Sequence, residues 1–225
     1  MSYALRTENL KKVFYEGETR VEALRGVSFQ ASCGEIVVLE GPSGSGKTTF
    51  MSVAGCLLSP DDGSLFIDDR KVDFSNAQSM AAVRRDFVGF VFQSFNLLPA
   101  LTVMENVMYS LQIRNKMTAR YRAEAAALIN KVGLGHRKTF HPEKLSGGEK
   151  QRAAIARALA GGTKIIFADE PTANLDSGIG NEILEVFRNM AKSENRTIVI
   201  ATHDPRVEKI ADRIVKMKDG HLLPV

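Results

Sequence analysis

The sequence predicts an α/β domain built on a mostly parallel β-sheet covered on both faces. Three observations carry that expectation. Short apolar runs such as "EIVVLEG", "KIIFADE" and "RTIVIATH" alternate with segments of helical period, the pattern of strands buried on both faces. The stretch "GPSGSGKT" (41–48) stands directly between the first of these runs and a helical segment. Asp204 followed by Pro205 supplies the cap and first-turn residues of a further helix start.

Taken in order, segments around 3–14 and 21–32 read as strands separated by the turn-like "YEGET". After "EIVVLEG", a helix is expected from about 46 to 58, broken by "SPDDG" before the strand "SLFIDD". The middle third changes character. "FVGFVFQ" (87–93) reads as a strand, and "SFNLLPALTVMENV" as an apolar loop entering a helix, with Thr102 and Glu105 spaced as a capping box. Residues 118–135 place Tyr121, Ala125, Leu128, Ile129 and Val132 on one helical face, closed by Gly133, and so form a helical insert. Ser146-Gly147-Gly148 opens an alanine-rich helix over 149–160. The last third returns to alternation: the strand "KIIFADE", a helix about 178–192, "RTIVIATH", a helix opened by "DPRVEKIAD", and a hairpin turning at Asp219–Gly220.

A chain of 225 residues can bury one sizeable core, and 44% hydrophobic with 25% charged residues is ordinary for a globular protein. Lys+Arg 30 against Asp+Glu 26 gives +4, with charges interspersed, so no nucleic-acid partner is called for. No apolar run reaches membrane-span length, and the N-terminus lacks a signal pattern, so neither a span nor export is expected. Cys33 and Cys56 have no metal-ligand spacing and are expected to be buried small hydrophobes in a reducing compartment.

The chemistry concentrates at a few points. Gly41, Pro42, Ser43, Gly44, Ser45, Gly46, Lys47 and Thr48 fit G-x-x-x-x-G-K-[ST], a loop whose backbone N–H groups converge on phosphates at a helix N-terminus. Lys47 would face the β- and γ-phosphates, and the Thr48 hydroxyl would ligate Mg²⁺. In "IIFADE" the chain delivers Asp169 and Glu170 to the carboxyl end of a strand, where α/β sheets bind ligands. Asp169 suits the Mg²⁺ shell, and Glu170 suits orienting or deprotonating a water. His203 ends a parallel strand and is a candidate γ-phosphate sensor, while Gln93 ends another and could reach Mg²⁺ or water. Ser146, Gly147 and Gly148 make a second anion site from free N–H groups, a hydroxyl and the helix dipole.

These motifs, "GPSGSGKT", Gln93, "LSGGE", "IIFADE", "NLDS" (174–177) and His203, occur in the order that identifies the chain as resembling the ATP-binding cassette (ABC) ATPases over essentially its whole length. The resemblance implies a single domain. About 1–93 and 163–225 would form a P-loop, RecA-like core with an antiparallel β subdomain, and about 94–162 a helical subdomain. It implies ATP and Mg²⁺, and two copies packed head to tail around two ATP molecules. Each ATP would then meet Gly41 to Thr49 of one copy and Ser146 to Glu149 of the other. Asp176 would cross the dimer interface, and adenine would stack on Phe14 or Tyr15. Glu149 stands where many members have glutamine.

Within the family, the chain looks most like the lipoprotein-releasing, macrolide-efflux and heterocyst glycolipid-export type of bacterial ATPase. That likeness implies a peripheral subunit on the cytoplasmic face of the inner membrane, driving a separate permease. The apolar loop Phe95, Leu97, Leu98, Pro99 and Leu101 is the expected docking surface. A cell-division cassette that signals without transport is the alternative. A P-loop kinase or GTPase would need an acceptor site or an N-K-x-D motif, and neither is present.

Overall fold

The computed structural model describes residues 3–114, 120–173 and 175–223. Strands β1 (Tyr3–Glu16), β2 (Thr19–Ser32), β4 (Asp62–Ile67) and β5 (Arg70–Lys71) form an antiparallel sheet in the order β2-β1-β4-β5. A second sheet has the order β10-β9-β3-β8-β7-β6. Its members are β3 (Ile36–Glu40), β6 (Val88–Val91), β7 (Ile165–Asp169), β8 (Thr197–Ala201), β9 (Arg213–Lys218) and β10 (His221–Leu222). Every pairing in it is parallel except the β9–β10 hairpin. Among the described residues the α-helices are α1 (Lys47–Ala54), α2 (Ala77–Asp86), α3 (Val103–Arg114), α4 (Tyr121–Lys131), α5 (Gly147–Leu159) and α6 (Ser177–Glu194).

The parallel strands read as unbroken apolar runs because both faces are covered, and their side chains divide with period two. Ile36, Val38, Ile166, Ala168, Ile198 and Ile200 face the layer of α3 to α6. Val37, Leu39, Ile165, Phe167, Val199 and Ala201 face α1 and the antiparallel sheet. Aromatic contacts tie the second layer together: Phe29 meets Phe50 edge-on at 5.2 Å, and Phe90 stacks on Phe167 at 5.4 Å. Phe50 and Phe167 are fully buried, worth about 1.5–3 kcal/mol each in apolar transfer.

Side chains cap the starts of α2, α3, α5 and α6. Thr102 and Glu105 form the expected capping box on α3. Ser146 and Glu149 form a second on α5. Fully buried Asn106 turns its amide back on the loop before α3. It donates to the carbonyls of Leu98, Leu101 and Thr102 at 3.0–3.1 Å and accepts from Leu98 N at 2.8 Å.

Several expectations need correction. The helix after the phosphate loop stops at Ala54, because Gly55 packs against Phe90 and Cys56 takes a left-handed φ of 59°. The segment after Asp204 is a 3₁₀ helix, Pro205–Ile210, and not an α-helix. Asp212 accepts from Ile36 N and Lys192, which pulls the chain straight into β9. Helix α2 was not foreseen, since only Met80 of its ten residues is buried and the pattern carries almost no apolar face. Cys56 is buried, and burial pushes its thiol up to about 12, but Cys33 is exposed. It occupies the turn between β2 and β3 beside Gly34. Residues 118 and 119 of the expected second insert helix, Asn174 of "NLDS", and residues 224–225 of the terminal hairpin lie outside the described residues.

Helix α5 lies so close on β6 that a Cβ at Gly89 would sit 2.3 Å from the Ala158 carbonyl oxygen. Backbone cannot yield cheaply there. Gly89→Ala is therefore expected to destabilise the fold by about 1–3 kcal/mol. A urea midpoint equal to wild type would contradict this packing.

Candidate nucleotide-binding and catalytic site

The site is assembled by strand register. Leu39 pairs with Ala201, Ala201 with Asp169, and Val91 with Ala168, so the carboxyl ends of β3, β8, β7 and β6 stand level. The residues that follow each end open into one cleft of about 780 Å³. Gly41 to Thr49, Gln93, Asp169, Glu170 and His203 all line it.

Within the phosphate loop two glycines are demanded by close approach. A Cβ at Gly41 would lie 2.1 Å from the Met217 carbonyl oxygen, and one at Gly46 (φ 104°) would lie 2.5 Å from that of Ala23. The Lys47 ammonium donates to the carbonyls of Gly41 at 2.6 Å and Pro42 at 2.9 Å, and so spans the loop. Thr48 donates its hydroxyl proton to Asp169 Oδ2 at 2.9 Å. Burial raises the Asp169 carboxyl above its ordinary range. The Thr48 bond opposes that rise, and the nearby Glu170 charge adds to it.

Glu170 leaves β7 in a left-handed conformation, φ 46°, an uncommon state for a residue with a Cβ. Its N–H donates to the Ala201 carbonyl at 2.8 Å, and its carboxylate accepts from Thr202 Oγ1 at 2.8 Å. The other carboxylate oxygen lies 2.7 Å from His203 Nδ1. Such strain collects at functional sites. It turns this carboxylate out of the sheet and into the cleft.

Ser146, Gly147, Gly148 and Glu149 do not line the cleft. Glu149 instead accepts from the Ser146 N–H at 2.8 Å and from Arg137 Nε at 2.7 Å. The Ser146 backbone bond holds its carboxyl below the usual range, with Arg137 assisting against the opposing effect of burial. Asp176 caps α6 by accepting from Ile179 N at 2.9 Å. Phe14 and Tyr15 also lie outside the lining, and they differ from each other. Phe14 pairs with Val21, a lining residue, and direct cross-strand partners share a face. Tyr15, 73% exposed, points to the opposite face. In the apolar loop, Leu98 is 40% exposed, whereas Leu97 packs against the helical core.

Sequence reasoning missed Val21, Glu22, Arg25, Asp219 and Gly220, which complete the cleft wall. They reach it through long-range backbone bonds, Arg25 N to Gly220 O at 2.9 Å and Gly220 N to Ser45 O at 3.0 Å. No local pattern announces those bonds.

Comparison with known proteins agrees with this geometry. Residues 24–173 match the family model described as ABC transporter. The chain is 42% identical over 219 residues to a macrolide export ATP-binding/permease protein of Brucella melitensis, covering 97% of this chain but 34% of that one. It therefore spans about a third of the length of such relatives. An ABC transporter ATP-binding protein of Thermotoga maritima is 42% identical over 222 residues, 99% of this chain and 94% of that one. Among solved structures, a dimeric ATP-binding cassette of Methanocaldococcus jannaschii in a post-hydrolysis state with ADP and Pi superposes with a TM-score of 0.92 at 38% identity, covering 98% and 97%. With the P-loop cleft, the carboxylate pair at the end of β7 and these relatives together, the chain belongs to the ABC transporter family.

Proposed function

We propose that the chain works as a head-to-tail dimer that closes around two ATP molecules and drives a membrane permease of the export or mechanotransmission type. The observation that carries this reading is the separation of two phosphate devices. One is the P-loop cleft with Glu170 and His203, and the other is the capped N-terminus of α5, which stands outside it. The solved dimeric relative supports an assembly in which each device serves a different copy's nucleotide. The alternative of a cell-division cassette has no such support, whereas relatives named for macrolide export favour transport.

In this reading the P-loop N–H groups and Lys47 hold the β- and γ-phosphates. Phe14, on the Val21 face, stacks on adenine. Thr48 Oγ1, the partly buried Asp169 carboxylate and Gln93 Oε1 would form an all-oxygen donor set suited to Mg²⁺. The ion neutralises phosphate charge when bound. Glu170 accepts a proton from the attacking water, and the oxygen of that water forms the new bond to the γ-phosphorus as ADP leaves. His203, held through Nδ1 by Glu170, keeps Nε2 toward the γ-phosphate. Ser146 and Gly148 offer hydroxyl and N–H groups to the partner's γ-phosphate, and Asp176 meets the partner across the interface. No described helix is long and apolar enough to cross a membrane. The exposed Leu98, carried on a loop pinned by Asn106, is the proposed contact with the permease on the cytoplasmic face.

Three outcomes follow. Lys47→Ala removes a charge-assisted contact worth about 1.5–3 kcal/mol, so ATP affinity should fall by at least tenfold in a binding titration. Affinity equal to wild type would contradict the phosphate cradle. Glu170→Gln keeps the side chain's shape but not its basicity, and should accumulate as an ATP-bound dimer in light scattering with turnover near background. A monomer at saturating ATP would contradict the sandwich. Leu98→Glu should leave ATP hydrolysis by the isolated cassette unchanged and abolish its recruitment to membranes carrying the permease. Unchanged recruitment would place docking elsewhere.

A further inference from the structure

The first turn of α6 is packed between the two phosphate devices of the same chain. On one side, Gly148 at the start of α5 meets Ile179 so closely that a Cβ there would lie 2.6 Å from Ile179 Cγ2. On the other, Gly180 meets the Arg206 guanidinium, where a Cβ would lie 2.5 Å from Nη1 and 2.9 Å from Cζ. A glycine weakens a helix relative to alanine, and here it makes room for an arginine.

Arg206 is fixed from both ends. Its Nη1 donates to the Asp176 carbonyl at 3.3 Å and its Nη2 to the Thr172 carbonyl at 3.4 Å. Its Nε donates to both Asp204 oxygens at 2.9–3.0 Å. Asp204 also accepts from Thr172 Oγ1 at 2.6 Å. Its own N–H donates to Thr202 Oγ1 at 3.0 Å, and that hydroxyl is the one donated to Glu170. Burial alone would raise the Asp204 carboxyl, but the Arg206 and Thr172 bonds outweigh it and bring it to about 2, so the pair with Arg206 stays ionised through the neutral range.

We propose that Arg206 is a positioning residue that couples the α5 N-terminus to the chain's own Glu170 through the first turn of α6. Contact of Ser146 and Gly148 with the partner's nucleotide thereby sets the Glu170–His203 pair beside the chain's own. The proposal rests on the composite-site reading above and adds a named route between the two sites. Displacement of Gly148 shifts Ile179, the adjoining Gly180 moves against the guanidinium, and Asp204 and Thr202 pass the shift to Glu170. Coupling of this kind appears as cooperativity in ATP, with a Hill coefficient approaching the number of sites.

The test is steady-state hydrolysis by the full chain across an ATP series. The wild type is expected to show a Hill coefficient of about 1.5 or more. Arg206→Met should bring it to about 1 while half-saturation and ADP affinity stay within about twofold. Gly180→Ala, which favours the helix but displaces the guanidinium, should do the same from the other side and stands in if Arg206→Met fails to fold. Arg206→Lys, keeping the Asp204 ion pair alone, should lie between the two. The Glu170→Gln/Arg206→Met double variant should still dimerise with ATP in light scattering. A wild-type Hill coefficient in Arg206→Met, or a hydrolysing wild type without cooperativity, overturns the proposal. So does loss of dimerisation in the double variant, which would make Arg206 an assembly residue. A wild type that does not hydrolyse ATP overturns the composite-site reading, and this inference with it.

Discussion

Parallel pairing of β3, β8, β7 and β6 brings four strand ends to one level, and that register delivers the P-loop, His203, the Asp169–Glu170 pair and Gln93 into a single cleft. A one-residue slip in any of these pairs would exchange the two buried faces of a strand and withdraw its terminal residue from the site. The fold's large apolar layers on both sides of the sheet are what forbid the slip. Core packing therefore sets the geometry of the cleft, and the two cannot be altered independently.

The site itself is held in a state that favours an incoming anion and cation. Asp169 is partly buried with one hydroxyl partner and with Glu170 adjacent, so its carboxyl is raised above the ordinary range. Glu170 occupies a strained backbone conformation held by its bonds to Ala201, Ala173, Thr202 and His203. The α5 N-terminus, by contrast, carries a capping box within its own chain, with Glu149 closing the box and pairing with Arg137. Glutamate at position 149 is thereby explained, since a carboxylate makes both the cap and the ion pair.

The parts of the molecule legible in sequence are those fixed by neighbouring residues. The spacing of Gly41, Gly46, Lys47 and Thr48 is a local requirement of a loop that closes on itself, and "IIFADE" states both a buried strand and the carboxylates at its end. What could not be read depends on distant contacts. Glu22, Arg25 and Asp219 enter the cleft only because Arg25 and Ser45 bond to Gly220. The Asp204–Pro205 start was visible, but the 3₁₀ outcome is imposed by Asp212 capturing Ile36 N from another strand. Helix α2 buries only Met80 fully, with Val83 partly covered, so its apolar face is too short to leave a periodic trace. Cys33 followed the general habit of its residue type in sequence, and the turn at Gly34 overrode it.

The central claim is that each ATP is held by the P-loop of one copy and the α5 N-terminus of the other. Mixing Lys47→Ala chains with Gly148→Asp chains tests it most directly, because each variant alone lacks one half of both sites. A mixed dimer joins one intact P-loop to one intact α5 N-terminus. The account predicts that hydrolysis, near background in each variant alone, rises on mixing toward a fraction of the wild-type rate. A mixture that stays at background while mixed dimers form, or a Gly148→Asp chain that hydrolyses normally alone, would contradict it.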